Sequence, residues 1–155
     1  MSRPSHKSEW TEHDFDSLSW HDNRVHGMRI CNPKDAYDFD LLLDIDYILD
    51  WIKMGDGRLL QFVVAPAVLT FHGVDKLLID VSLSYKEEFT IDEIRRSDVG
   101  AGSKHKAGSR GWHIALQSIA GRPNRICFEA QGFTQRLTKG PRGPSTNQSL
   151  EDEVR

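Results

Sequence analysis

Apolar and polar residues alternate with a period of two along much of this chain. The clearest run is Asp38 to Trp51, DFDLLLDIDYILDW. Its odd positions, Phe39, Leu41, Leu43, Ile45, Tyr47, Leu49 and Trp51, are all apolar, and its even positions carry Asp38, Asp40, Asp44, Asp46 and Asp50. In a strand, successive side chains point to opposite faces, so this run has one greasy face and one acidic face. As a helix it would scatter aspartates, which are poor helix formers, around the cylinder without a clean stripe. The pattern therefore predicts a strand up to about Tyr47, with a bend beyond it, because so long a strand exceeds the usual length.

Other stretches repeat the theme. Arg24–Cys31 reads as a short strand with His26, Met28 and Ile30 on one face, followed by the turn residues Asn32-Pro33-Lys34-Asp35. Gly55-Asp56-Gly57 is a hairpin signal. Leu59–His72 is apolar on both faces, as in a covered strand, but Pro66 cannot donate to a ladder and predicts a split or bulge there. Gly73-Val74-Asp75 predicts a turn, and Lys76–Tyr85 alternates again. Residues 86–97 fit a short capped helix (Thr90 with Glu93) or an edge strand equally well. After a Gly/Ser/Lys/His loop from Asp98 to Arg110, Trp112, Ile114 and Leu116 alternate, then Ile126, Phe128 and Ala130, with Gly121-Arg122-Pro123-Asn124 between them.

About seven short strands with little helix predict a mainly β fold, a single-domain antiparallel β-sandwich or open barrel. It would span residues 18–137, between a disordered N-terminal arm (1–17) and a disordered C-terminal tail (138–155). The expected core is Val25, Met28, Ile30, Leu41, Leu43, Ile45, Phe62, Val64, Leu69, Phe71, Ile79, Val81, Trp112, Ile114, Leu116, Ile126 and Phe128.

At 155 residues one domain is the simplest reading. There is no run of about 18 apolar residues, so no membrane span is expected. The opening MSRPSHKSEWTEHD lacks the apolar stretch of a signal peptide. These features point to a cytoplasmic protein, in which Cys31 and Cys127 read as small buried hydrophobes. The net charge of −3 conceals an asymmetry: residues 1–94 hold 9 Lys/Arg and 18 Asp/Glu, residues 95–155 hold 11 and 5. The halves either compensate each other in one fold or present a charged docking surface.

Three constellations offer chemistry. His21, Asp22 and His26 supply ligand types that zinc accepts, or a metal-dependent or acid/base hydrolase site. An odd spacing, however, puts two strand histidines on opposite faces. Aspartates two apart on one strand face lie about 7 Å from each other, so Asp44 and Asp46, or Asp38 and Asp40, could hold a hard cation, while Asp40, Asp44 and Asp46 could dock a basic partner or the whole row could stay solvated. Arg95, Arg96, Lys104, Lys106 and Arg110 could meet phosphate, but without interleaved aromatics base stacking is unsupported, and nucleic acid is not the expected partner. Gly100-Ala101-Gly102-Ser103-Lys104 lacks the order of a phosphate loop, and no serine lies in a nucleophile elbow. Glu129 and Gln131 share a strand face and could line a groove. No cofactor is indicated.

The motif Trp20-His21-Asp22-x-x-Val25-His26, the Leu/Asp strand, and Phe128-Glu129-Ala130-x-Gly132-Phe133-Thr134-Gln135 resemble a group of small bacterial proteins of unknown function. More loosely, they resemble β-rich immunity proteins that open on a His-Asp-x-x-Val strand. These motifs cover about a third of the chain. The resemblance implies a small, mostly-β cytosolic domain, carries over no catalytic residue, and implies an acidic surface that blocks a basic toxin. The leading expectation is a non-enzymatic protein-binding module with an acidic face, recognising a basic protein. Its binding should be salt-sensitive and weakened by Asp44→Asn with Asp46→Asn. Homo-oligomerisation through apolar edges is a further expectation.

Overall fold

The computed structural model describes residues 7–32, 38–99, 108–118 and 121–155. Among these, nine strands form: β1 (Glu9–Thr11), β2 (Val25–Cys31), β3 (Phe39–Met54), β4 (Leu59–Asp80), β5 (Ile91–Asp98), β6 (Arg110–Leu116), β7 (Asn124–Ala130), β8 (Gly132–Leu137) and β9 (Arg142–Ser145). Short 3-10 turns lie at Glu12–Ser17 and Asp152–Val154. The fold is mainly β, as the alternation predicts: one curled antiparallel sheet forming a half-barrel. No helix among the described residues is long and apolar enough to cross a membrane.

β4 is the spine. It pairs with β3 along most of its length, with β9 and β8 on its other edge, and with β7 at its far end. It can do all of this because it bends. Gly73 adopts φ +61°, and a Cβ there would lie 2.8 Å from Gln131 Oε1, so a side chain is excluded at the corner. Beyond the corner β4 gains one residue relative to β7 between Asp75 and Leu78. The expected turn at Gly73-Val74-Asp75 is thus a bend inside one long strand, and the expected strand over 76–85 is the end of that strand as far as Asp80, with 81–85 outside it. Residues 86–97, open between helix and strand, form β5 from Ile91. At the other end of the curl, Asp22 N–H donates to Ile91 O (2.9 Å), Val25 N–H to Phe89 O (2.6 Å) and Ile91 N–H to Asn23 O (2.9 Å), drawing the start of β2 against the start of β5.

The odd positions of β3 build the core as predicted: Leu41, Leu43, Ile45 and Tyr47 are buried with Leu69, Phe71, Ile114, Ile126 and Phe128. Phe71 sits at the centre, its ring 4.8 Å from Phe128, 5.1 Å from Trp112 and 6.1 Å from Phe133. Trp20 closes one end, its indole N–H donating to the buried Gln135 Oε1 at 2.7 Å.

Several expectations are corrected. Pro66 neither splits nor bulges β4: it pairs with Asp46 in an unbroken register. The reason is ladder geometry. Asp46 N–H turns away to Arg24 O just before β2 (3.0 Å), so the proline opposite needs no donor toward β3. On its other edge Pro66 falls between the stretches that pair with β9 and β8, and its carbonyl accepts from Thr138 N–H at 2.8 Å. Met28, Ile30 and Ile79 are not core, being 37%, 56% and 41% exposed. Met28 and Ile30 lie opposite the buried Leu43 and Leu41, on the inward face, but β2 pairs only with β3 among the described residues, and both side chains stay open at that edge. Nor does His26 share their face. Between Val25 and Gly27 the register slips by one residue, leaving His26 as the bulged residue turned to the acidic side.

The ends also differ from expectation. Residues 7–17 of the expected arm form β1, paired with β8, and a 3-10 turn, while 1–6 lie outside the described residues. The expected disordered tail 138–155 instead forms β9, pairs with β4 at Phe62 and Val64, and ends in a second 3-10 turn.

Truncating Phe71 to alanine removes the ring that joins both halves of the curl. It should cost about 3–5 kcal/mol, read as a lower urea midpoint with unchanged slope.

Candidate functional site

The acidic face of β3 is not a uniform wet surface. Each aspartate has a different fate. Asp40 accepts from Gly73 N–H (3.2 Å) and faces His72 Nδ1 (3.3 Å), while His72 Nε2 lies 3.0 Å from Thr134 Oγ1. Asp44 is half exposed, with 52% of its side chain open. Asp46 is fully buried.

Burying a carboxylate requires donors, and Asp46 has three. His26 Nε2 lies 2.7 Å from Oδ2, delivered by the β2 bulge. Leu150 N–H donates to the same oxygen at 2.9 Å. The Arg155 guanidinium donates to Oδ1, and its other amino group to Asp44 Oδ1, so one fork bridges both carboxylates. Two of the three donors thus come from residues 142–155, which lie across the face as a strap. Next to Asp46 on this face, Ile48, Phe62 and Val64 make a small apolar cluster of their own, with Leu150 packed on it. The register shift between Ile48 and Asp50 then exchanges the faces of β3 toward the hairpin tip. Where the strap crosses β4 the approach is so close that a Cβ on Gly143 would overlap the Phe62 carbonyl oxygen, and Gly143 has φ +111°. Gln148 Nε2 anchors the middle of the strap on Asp22 Oδ2 at 3.1 Å.

Electrostatics follow from this packing. Burial holds His26 below its ordinary value, reinforced by the positive charges of Arg155 and Arg24. The imidazole is therefore neutral near pH 7 and donates its Nε2 proton to Asp46. On the inward face, burial pushes the Tyr47 phenol up to about 12, partly offset by a hydrogen bond with the Ser19 backbone.

The metal or hydrolase constellation does not assemble as one group. His21 Nδ1 lies 2.9 Å from Asp92 O, and His21 Nε2 is 3.5 Å from Asp22 Oδ1. Asp22 is held by Gln117 (2.6 Å) and Gln148, whereas His26 turns to Asp46. Among the described residues no three His, Cys, Asp or Glu side chains come together as a metal would need. The His21 ring stacks at 6.4 Å on Trp51, at the rim of a cleft with Phe15, Trp20, Asp92 and Glu93. Cys31 and Cys127 are free thiols of intermediate burial.

Sequence reasoning missed Arg155, Leu150 and His72, and the distant partner of Asn23. Asn23 is fully buried and accepts the Ile48 N–H through Oδ1 at 3.3 Å, tying the Trp20–His26 motif to β3. Its place between two paired elements carries no local signature, and Arg155 lies in a stretch with no periodicity at all. The basic loop residues that are described pair within the chain: Arg95 with Glu93 (3.2 Å), Arg96 with Glu12 (2.8 Å) and Arg110 with Asp98 (3.4 Å). Lys104 and Lys106 lie outside the described residues.

Searched against protein-family models, curated proteins and solved structures, the chain matches none of them.

The two bridged aspartates should respond unequally to neutralisation. Asp46→Asn breaks a buried ion pair and should cost about 3 kcal/mol. Asp44→Asn, half in water, should cost less than about 1 kcal/mol. Equal losses in denaturant unfolding would contradict the arrangement.

Proposed function

We propose that this protein is a non-enzymatic protein-binding module whose acidic sheet face takes an extended, arginine-bearing segment of a basic partner. The observation that carries the reading is the strap: residues 142–155 occupy the face as such a segment would. β9 adds a strand at the Phe62–Val64 edge, Leu150 fills the apolar cluster, and the Arg155 fork spans Asp44 and Asp46. Strand addition at an edge gives affinity through backbone hydrogen bonds, and alternate side chains in pockets give specificity. The bidentate fork suits guanidinium better than ammonium, so arginine is the expected cation. An immunity-like role, in which the partner is a basic toxin domain, fits this chemistry.

The hydrolase alternative built on His21, Asp22 and His26 draws no support from these side chains, because His26 turns away to Asp46 and Asp22 is held by Gln117 and Gln148. Asp46 is part of the fold, so replacing it confounds folding with binding. Asp44 is the cleaner handle.

The test uses the full chain. Arg155→Ala frees both carboxylates and should bind a labelled oligo-arginine peptide at low salt more tightly than the unmodified protein, by fluorescence anisotropy. Adding Asp44→Asn should weaken that binding about ten-fold, the scale of one charge-assisted hydrogen bond. Raising salt should weaken it further. Undiminished binding by the Asp44→Asn, Arg155→Ala protein would sink the acidic-face reading.

A further inference from the structure

We propose that residues 142–155 form a proton-sensitive latch over the acidic face, with His26 and Arg155 competing for the single buried carboxylate of Asp46. Mild acid then releases the strap and uncovers the groove. As regulation of a docking site this rests on the reading above, although the latch itself does not.

The competition follows from the arrangement around Asp46. Its Oδ2 receives His26 Nε2 and Leu150 N–H, and its Oδ1 receives Arg155. With neutral His26 the carboxylate faces one full positive charge, that of Arg155, which it shares with Asp44. A proton on Nδ1 makes His26 a second cation against the same oxygens. The charged groups around it come from every packed element. Arg24, just before β2, has its guanidinium 3.7 Å from Glu88 on the segment before β5. β3 carries Asp44 and Asp46, and the strap carries Arg155 and Asp152. Two arginines and an imidazolium would then meet Asp44, Asp46 and Asp152, with Glu88 turned toward Arg24. A charged His26 and Arg155 repel each other across the Asp46 they share, so each weakens the other's hold, and withdrawing Arg155 relieves that repulsion.

The strap is the element free to leave. It is held by one apolar side chain, two paired positions on β4 and the contacts to Asp22, Asp44 and Asp46. β2 and β3, which carry His26 and Asp46, are paired along their whole contact. Elements with few buried contacts open first.

The sign follows from linkage. His26 is held below its ordinary value of 6.5 in the strapped form, by burial first and then by Arg155 and Arg24. The open form, freed of Arg155, binds the proton more readily. The strapped form therefore has its full stability above pH 6.5 and loses it as pH falls from there toward the lowered His26 value. Carboxylates titrate below this window, which leaves histidine as the responding group.

Hydrogen–deuterium exchange on the full chain tests the latch, at about pH 7.5 and about pH 5.5 with labelling times scaled for intrinsic exchange. Amides of the strap around Leu150 should lose protection about five-fold or more at the lower pH, the usual floor of a coupling between sites, while β6 and β7 stay unchanged. His26→Gln, which keeps a donor for Asp46 but cannot charge, should hold the strap closed at both pH values. Gly143→Ala, which collides with β4, should open it at both. Equal protection of the unmodified protein at the two pH values, or the same loss in His26→Gln, overturns the proposal. Should His26→Gln fail to fold, the His26 ring titration by NMR decides: its midpoint must rise in Arg155→Ala, and an unmoved midpoint overturns the latch. Docking is read separately, as oligo-arginine binding to Arg155→Ala near pH 7.5. Loss of that binding removes the docking reading and leaves the exchange result intact, and the converse also holds.

Discussion

The burial of one carboxylate organises the functional face of this molecule. An ionised aspartate withdrawn from water is costly unless donors replace the solvent. Asp46 lies mid-strand, where its own ladder partners cannot reach the side chain, so the donors must come from elsewhere. One is His26, aimed by the β2 bulge. The others are the Leu150 amide and the Arg155 guanidinium, more than a hundred residues away in sequence. The proline opposite belongs to the same solution. Asp46 directs its amide to Arg24 O just before β2, and Pro66 sits where β4 needs no donor toward β3. A bulge, a mid-strand proline and an ordered terminal strap look like three irregularities, but all of them meet at this one residue.

The legible part of the fold was the part governed by period two. The odd face of β3, with Leu41, Leu43, Ile45 and Tyr47, is core because alternation over that length leaves no other way to bury so much apolar surface. The acidic row was equally visible, but not its fates. Asp44 and Asp46 each sit between two apolar residues on the same face of the same strand, yet one is half in water and the other fully buried. What separates them is where the strap lands. Bulges were also beyond reach: a single extra residue at His26 moved Met28 and Ile30 to the opposite face from it, and one near Leu49 exchanged the faces toward the hairpin tip.

The charge asymmetry resolves in favour of interleaving. Glu12 meets Arg96, Asp80 meets Arg122 (2.8 Å), and Asp44 and Asp46 meet Arg155. In each pair the acid comes from the first 94 residues and the base from the remainder. Antiparallel pairing of β1 with β8, and the strap across β3, bring the two halves side by side. An acidic first half is then compatible with a molecule whose surface is locally balanced. A partner that reads the acidic face must therefore replace a charge already in place, rather than meet a bare one.

That replacement bears on why the strap escaped the sequence reading. Its composition is that of an unstructured tail, with Leu150 its one large apolar residue besides Val154. It is ordered because a short ladder, one apolar contact and one charged fork converge on a prepared surface, none of them strong enough alone. Order of that kind is conditional. Removing any one anchor leaves little to hold the others, whereas the aromatic centre around Phe71 is supported from both halves of the curl. The stability of the barrel and the occupancy of its acidic face are therefore separable. A change that frees the strap exposes Asp44, the Asp46 carboxylate and the β4 edge together while the half-barrel persists, and this separability is what allows one sheet to carry both a folded core and a covered acidic face.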